Sequence, residues 1–257
     1  MTLAHREALL KMLARISFRL GEFKLSSGAT SDYYIDCRTT TLTGEGGRLT
    51  GLAVLDLIRQ HELRPRAIGG LTLGADPIVC NVAAASAWHA LEAPGSPVLD
   101  GFLVRKAEKT HGTGRRIEGF EQADAPVIIV DDVCTTGAST ITAIEAAREA
   151  GMRVIGVVCL VEREEAKGRP AVEAAAQGAP FYRLFSAADV RAEHVPPRTM
   201  SWGNSQPFLR DCSNVLDLPR TVVLGYFQSS PFDKLRAGST GLSADYSRRH
   251  RRPLLRM

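Results

Sequence analysis

Residues 127–140 read VIIVDDVCTTGAST. Val127, Ile128, Ile129 and Val130 are four consecutive β-branched residues, the pattern of a strand buried on both faces of a parallel sheet. Asp131 and Asp132 end the run. The segment CTTGA follows and enters a helix at about Ser139. In an open parallel sheet, ligands gather at the carboxyl ends of strands, where loops and helix N-termini converge. A Thr-Thr-Gly turn into a helix aims backbone N–H groups and hydroxyls at one point, and the helix dipole adds positive potential, so this is a seat for a monophosphate. Carboxylates beside it would repel a bare phosphate, but they can accept hydrogen bonds from vicinal hydroxyls. A ribose 5-phosphate meets both requirements. Either half alone reads equally as an acidic turn with Thr/Ser caps; the combination favours the ligand. The common nucleotide loop G-x-x-x-x-G-K-[ST] is absent from the chain.

Working outward, short apolar runs alternate with helical spacing. Strands are expected near 67–71, 98–105, 126–131, 153–161 and 181–185. Helices are expected over 5–16, 48–61, 75–90, 138–150 and 169–177, with some strand character at 33–37. This order predicts an α/β fold with a mostly parallel sheet covered on both faces. Beyond Val190 the period dissolves, so a domain is expected over 1–190 and a largely disordered basic extension over 191–257.

The chain has 257 residues and a net charge of +4. From Arg191 onward it carries 11 Lys/Arg and 5 Asp/Glu, which leaves 21 and 23 in the first 190 residues. The basic excess belongs to the extension and says nothing of the domain's partners. No apolar run is long enough to span a bilayer, and the start MTLAHREALLKML has no signal-peptide core. Five scattered cysteines without a C-x-x-C pair suggest reduced thiols and a cytoplasmic setting.

Residues 127–140 resemble the phosphoribosyl-diphosphate signature of the type I phosphoribosyltransferases. The signature alone leaves the acceptor base open, and the family includes non-catalytic regulators. Three further segments, FKLSSGATSDYYIDCR (23–38), GGLTLGADP (69–77) and VRKAEKTHGTGRRIEG (104–119), are similar to those of orotate phosphoribosyltransferases, in the same order. The resemblance covers roughly residues 5–190. It implies a mostly parallel central sheet flanked by helices, a small N-terminal hood and a flexible catalytic loop. It also implies transfer of phosphoribosyl from 5-phosphoribosyl 1-diphosphate to orotate, in a homodimer with shared active sites.

Carried over position by position, the resemblance assigns the ribosyl diphosphate to Leu73, Gly74, Arg105, Lys106, Lys109, His111, Asp131, Asp132, Val133, Cys134, Thr135, Thr136, Gly137, Ala138 and Ser139. Lys109, His111, Asp131 and Asp132 are implied to be catalytic. Tyr34, Ile35, Thr135 and Arg163 are implied to line the orotate site. Each assignment has a physical counterpart. A cation-rich lid over 105–118 can neutralise a departing diphosphate and exclude water. The backbone at Leu73 and Gly74 can approach an anion closely, although some relatives carry lysine at Gly74 and at Ser26. An arginine fork at 163 matches a planar carboxylate. Mg²⁺ is expected to arrive on the substrate rather than in a protein cage, because it prefers phosphate oxygens and water. A purine or another pyrimidine as acceptor, or a regulator that senses the ribosyl diphosphate, is the alternative.

Overall fold

The computed structural model describes residues 3–24, 30–106 and 116–195. The expected 191–257 extension lies outside them from residue 196 onward. Six strands form one sheet in the order β5-β4-β3-β6-β7-β8: β3 (Ala67–Leu71), β4 (Asp100–Val104), β5 (Ile117–Gly119), β6 (Pro126–Cys134), β7 (Arg153–Glu162) and β8 (Phe181–Ser186). All neighbours run parallel except β4 and β5. The chain leaves β3 toward β4 on one side, then returns to place β6 on the other. The carboxyl ends of β3 and β6 therefore flank a topological switch point, where such sheets bind ligands.

The VIIV run explains the layering. Ile128 and Val130 face a core built with α1 (Leu3–Met12), α3 (Gly44–Gln60) and α4 (Asp76–Glu92). Val127 and Ile129 face a second core built with α5 (Ala138–Glu149) and α6 (Arg169–Ala176). All four are essentially inaccessible, each burial contributing on the order of 1.5–3 kcal/mol. Successive side chains on a strand alternate faces, so a continuous apolar run is what two covered faces require.

The structure departs from the sequence expectations in four places. The acid pair lies within β6 rather than after it, because pairing with β7 continues through Asp131–Cys159 and Val133–Val161 to Cys134–Glu162. The strand character expected at 33–37 falls earlier, in β2 (Thr30–Ile35), which forms an antiparallel hairpin with β1 (Phe18–Lys24) outside the main sheet. The cation-rich segment expected as one loop ends in the edge strand β5. A final helix, α7 (Ala187–Glu193), runs past residue 190 and opens on a capping box between Ser186 and Asp189. The His194 ring packs against Phe18, 5.0 Å between centroids, and Arg191 pairs with Asp32 at 2.8 Å, so the described fold extends beyond the boundary expected at 190.

Candidate active site

At the switch point lies a cleft of about 240 Å³ lined by β2 and the residues after it, by the end of β3, and by the acid pair. Of the residues expected from sequence, Tyr34, Ile35, Leu73, Gly74, Lys106, Asp131, Asp132 and Ser139 line this one cavity. They come from four stretches of chain that only the fold brings together. Asp36, Arg38, Leu71 and Thr72 line it too and were not anticipated.

Asp131 is 6% exposed and accepts a hydrogen bond from the Thr140 hydroxyl at 2.5 Å. Burial, and then the charge of neighbouring Asp132, push its carboxyl up to about 7. Burial also raises Asp132, although the Val133 N–H and Arg38 oppose the rise. The Val133 N–H donates to Asp132 Oδ1 at 2.9 Å. Two carboxylates held in low dielectric with few donors are costly unless something arrives to donate to them. Sugar hydroxyls can do that.

The helix after the acids begins at Ala138. Its cap, Gly137, has φ +82 and no side chain caps the helix. The positive φ suits glycine, and a Cβ there would come within 2.4 Å of Val172 Cγ2. The first N–H groups of a helix lack intrahelical partners. Here they open beside exposed Thr136, Ala138 and Ser139 and half-buried Thr135, an arrangement suited to an anion. Gly74 makes the opposite wall: a Cβ at this position would stand 2.3 Å from Asp132 Oδ1. The Thr72–Leu73 peptide beside it is cis.

Several expected residues stand away from the cleft lining. Arg105 turns to Glu118 across the β4–β5 pair, its Nε donating at 2.9 Å, because the antiparallel ladder pairs Leu103 with Glu118 and so leaves Glu118 diagonal to Arg105. Arg163 is buried. Its Nε donates to the Tyr33 hydroxyl at 3.0 Å and to Glu165 at 3.1 Å, and Nη2 donates to Ser31 at 2.9 Å. Its carboxylate partner in the structure is therefore Glu165. Cys134 points into the core, its backbone N–H donating to Cys159 Sγ at 3.1 Å. Val133, Thr135, Thr136, Gly137 and Ala138 frame the turn without lining the cavity. Lys109 and His111, with Ser26, lie outside the described residues.

Among the described residues, no group of three or more His, Cys, Asp or Glu side chains could hold a metal ion, and no helix is long and apolar enough to cross a membrane. The described cysteines Cys37, Cys80, Cys134 and Cys159 are free thiols.

Comparisons with known proteins identify the family. The phosphoribosyl transferase domain family matches residues 103–179. The orotate phosphoribosyltransferase of Aquifex aeolicus is 40% identical over 193 residues, covering 74% of this chain and 100% of the relative. That of Streptomyces avermitilis is 46% identical over 158 residues, 62% of this chain and 82% of the relative. A crystal structure of Mycobacterium tuberculosis orotate phosphoribosyltransferase in complex with 5-phospho-α-D-ribosyl 1-diphosphate superposes with a TM-score of 0.57 at 33% identity, covering 72% of this chain and 98% of that one. Sequence kinship along nearly the whole of these relatives, on the same sheet, makes this chain a member of the orotate phosphoribosyltransferase family.

Proposed function

We propose that the chain transfers the 5-phosphoribosyl group from 5-phosphoribosyl 1-diphosphate to orotate, releasing orotidine 5′-monophosphate and diphosphate. The observation that carries this reading is the convergence of buried Asp131 and half-buried Asp132, the uncapped start of α5 and the Leu73–Gly74 backbone on one cleft. A nitrogen–carbon bond forms at the anomeric carbon, the carbon–diphosphate bond breaks, and the orotate nitrogen gives up its proton to solvent.

In this reading the Thr135–Ser139 backbone takes the 5-phosphate, and Asp131 and Asp132 accept the ribose hydroxyls. Fixing the sugar at both ends aligns the anomeric carbon with the incoming nitrogen and reduces the entropic part of the barrier. The acids also lie where positive charge develops on the ring, and stabilise it without reorganising. Lys106, with Lys109 and His111, would neutralise the diphosphate; Tyr34 and Ile35 would flank orotate, with Thr135 as a polar contact.

Arg163 would bind the orotate carboxylate through its guanidinium by giving up its Nε contact with Glu165 and its Nη2 contact with Ser31. Arg105 would join the diphosphate only by releasing Glu118.

Mg²⁺ fits as a passenger of the substrate. The cleft offers carboxylate oxygens, the donors a hard cation accepts, but the described residues form no closed cage. Bound to the diphosphate, the ion would neutralise leaving-group charge.

A cytoplasmic homodimer with shared sites accompanies this proposal. Free thiols support the compartment, and the dimer rests on the family resemblance.

Orotate, uracil, xanthine and adenine offered in parallel to the full chain with ribosyl diphosphate and Mg²⁺ test the reading. Turnover of orotate alone is expected; preference for any other base would overturn it.

A further inference from the structure

Five charged side chains line the cleft: Asp36, Arg38, Lys106, Asp131 and Asp132. Three are carboxylates, yet the substrate proposed above is itself a polyanion with phosphate at one end and diphosphate at the other. Cations must offset both. Lys106 is the last described residue before the 107–115 segment, whereas Arg38 sits on α2 (Arg38–Thr41), at the exit of the hairpin.

Arg38 is held from several directions. Its backbone N–H donates to Asp36 Oδ1 at 3.1 Å, its Nε to the same oxygen at 2.9 Å, and its Nη2 to Asp36 Oδ2 at 2.9 Å. The Asp36 N–H in turn donates to the Ser17 carbonyl at 3.0 Å. Between the pair, Cys37 is fully buried and its thiol donates to the Asp132 carbonyl at 3.6 Å. The D-C-R turn is thus anchored to the acid strand, and the guanidinium is fixed by a two-point fork. Its Nη1 makes no hydrogen bond to the described residues. Arg38 also favours the ionised form of Asp132, whose carboxylate fills the space beside Gly74. Arg38, Asp132 and the Leu73–Gly74 backbone consequently share one end of the cleft.

As a stability device this pair has little to offer. The Arg38 side chain is 41% exposed, and exposed ion pairs of this kind are worth little. A preorganised, half-solvated guanidinium with donors to spare in a cleft of acids is better suited to a ligand anion.

Resting on the reading of the site as a ribosyl-diphosphate cleft, we propose that Arg38 binds the diphosphate of that substrate, with Asp36 as the residue that positions its guanidinium. The proposal separates this arginine from Arg163, which serves the base.

Titration calorimetry of the full chain with ribosyl diphosphate and Mg²⁺, and separately with orotidine 5′-monophosphate, tests it, because the product nucleotide has no diphosphate. Arg38→Gln is expected to weaken the ribosyl diphosphate roughly 10- to 100-fold, the loss of a charge-assisted contact from the guanidinium hydrogens that Asp36 does not take, and to leave the nucleotide within about twofold. Arg38→Lys, which keeps the charge and loses the fork, should fall between and guards against a Gln variant that fails to fold. Asp36→Asn removes a negative charge, so a simple field effect would tighten the ribosyl diphosphate; a positioning role weakens it. Equal losses for both ligands, or no loss in either arginine variant, would overturn the assignment of Arg38. Tightening in Asp36→Asn would overturn the positioning role of Asp36. A wild-type chain that binds no ribosyl diphosphate would instead overturn the reading of the whole cleft.

Discussion

The guanidinium of Arg163 lies over the ring of Tyr33, 4.4 Å from its centroid, and its Nε donates to the same phenol's oxygen at 3.0 Å. The Tyr33 hydroxyl also donates to Glu165, so hairpin, arginine and acid close a ring of contacts. Burial first, and then the bond to Glu165, push the Tyr33 phenol up to about 12, so it stays a neutral donor even in alkaline solution. If Arg163 binds orotate as proposed, Glu165 competes for its Nε, and Glu165→Gln should lower KM for orotate by roughly two- to fivefold, the equivalent of up to about 1 kcal/mol for a half-exposed ion pair. Arg163→Gln should raise it at least tenfold with ribosyl diphosphate affinity unchanged. Steady-state kinetics with orotate varied checks both; an unchanged KM in Arg163→Gln would remove this arginine from the base site.

Asp131 carries a cost that the proposed ribose contact would explain. Its carboxyl is raised to about 7 from an ordinary 3.8, so the native state holds the proton more tightly than the unfolded chain. Between those values the native state binds more protons, and stability falls as pH rises from near 4 to near 7, levelling above. Asp131→Asn removes the buried charge and keeps a polar partner for Thr140. Its Tm should exceed wild type at pH 8 by roughly 2–4 °C for each ~1 kcal/mol recovered in a domain of this size. The advantage should shrink at pH 5, while ribosyl diphosphate affinity drops at least tenfold. Thermal scans at the two pH values, with a binding titration, check the trade; a variant less stable than wild type at pH 8 would contradict it.

Gly74 lets the Asp132 side chain approach closely, since Asp132 Oδ1 and Cγ stand 2.3 and 2.7 Å from where a Cβ would be. Gly74→Ala should therefore displace the Asp132 carboxylate more than it disturbs the fold. We expect Tm within a few degrees of wild type and kcat/KM for ribosyl diphosphate reduced roughly 10- to 100-fold, the scale of a misplaced catalytic contact. A variant with wild-type kcat/KM would show that Asp132 does not need its present position.

What could be read in the sequence was what local chemistry determines. The VIIV run fixed a strand covered on both faces, and the D-D-V-C-T-T-G order placed acids beside a helix start. The capping box at Ser186 and Asp189 was an available signal for α7, since its S-x-x-D spacing marks a helix N-terminus. Other features depended on partners remote in sequence. Asp36 and Arg38 form an ordinary i, i+2 pair until the hairpin's exit docks on Asp132 through Cys37. The engagement of Arg163 by Ser31 and Tyr33 spans 132 and 130 positions, a separation that no local pattern encodes. The extra length of β6 likewise came from its pairing with β7 and not from its own composition.

The grip on the sugar is tested most directly by the crystal structure of the full chain soaked with 5-phosphoribosyl 1-diphosphate and Mg²⁺. The 5-phosphate should lie on the backbone of Thr135–Ser139, with the 2′ and 3′ hydroxyls donating to Asp131 and Asp132. A phosphate bound elsewhere, or a ribose ring turned away from the two carboxylates, would contradict the assignment of the cleft.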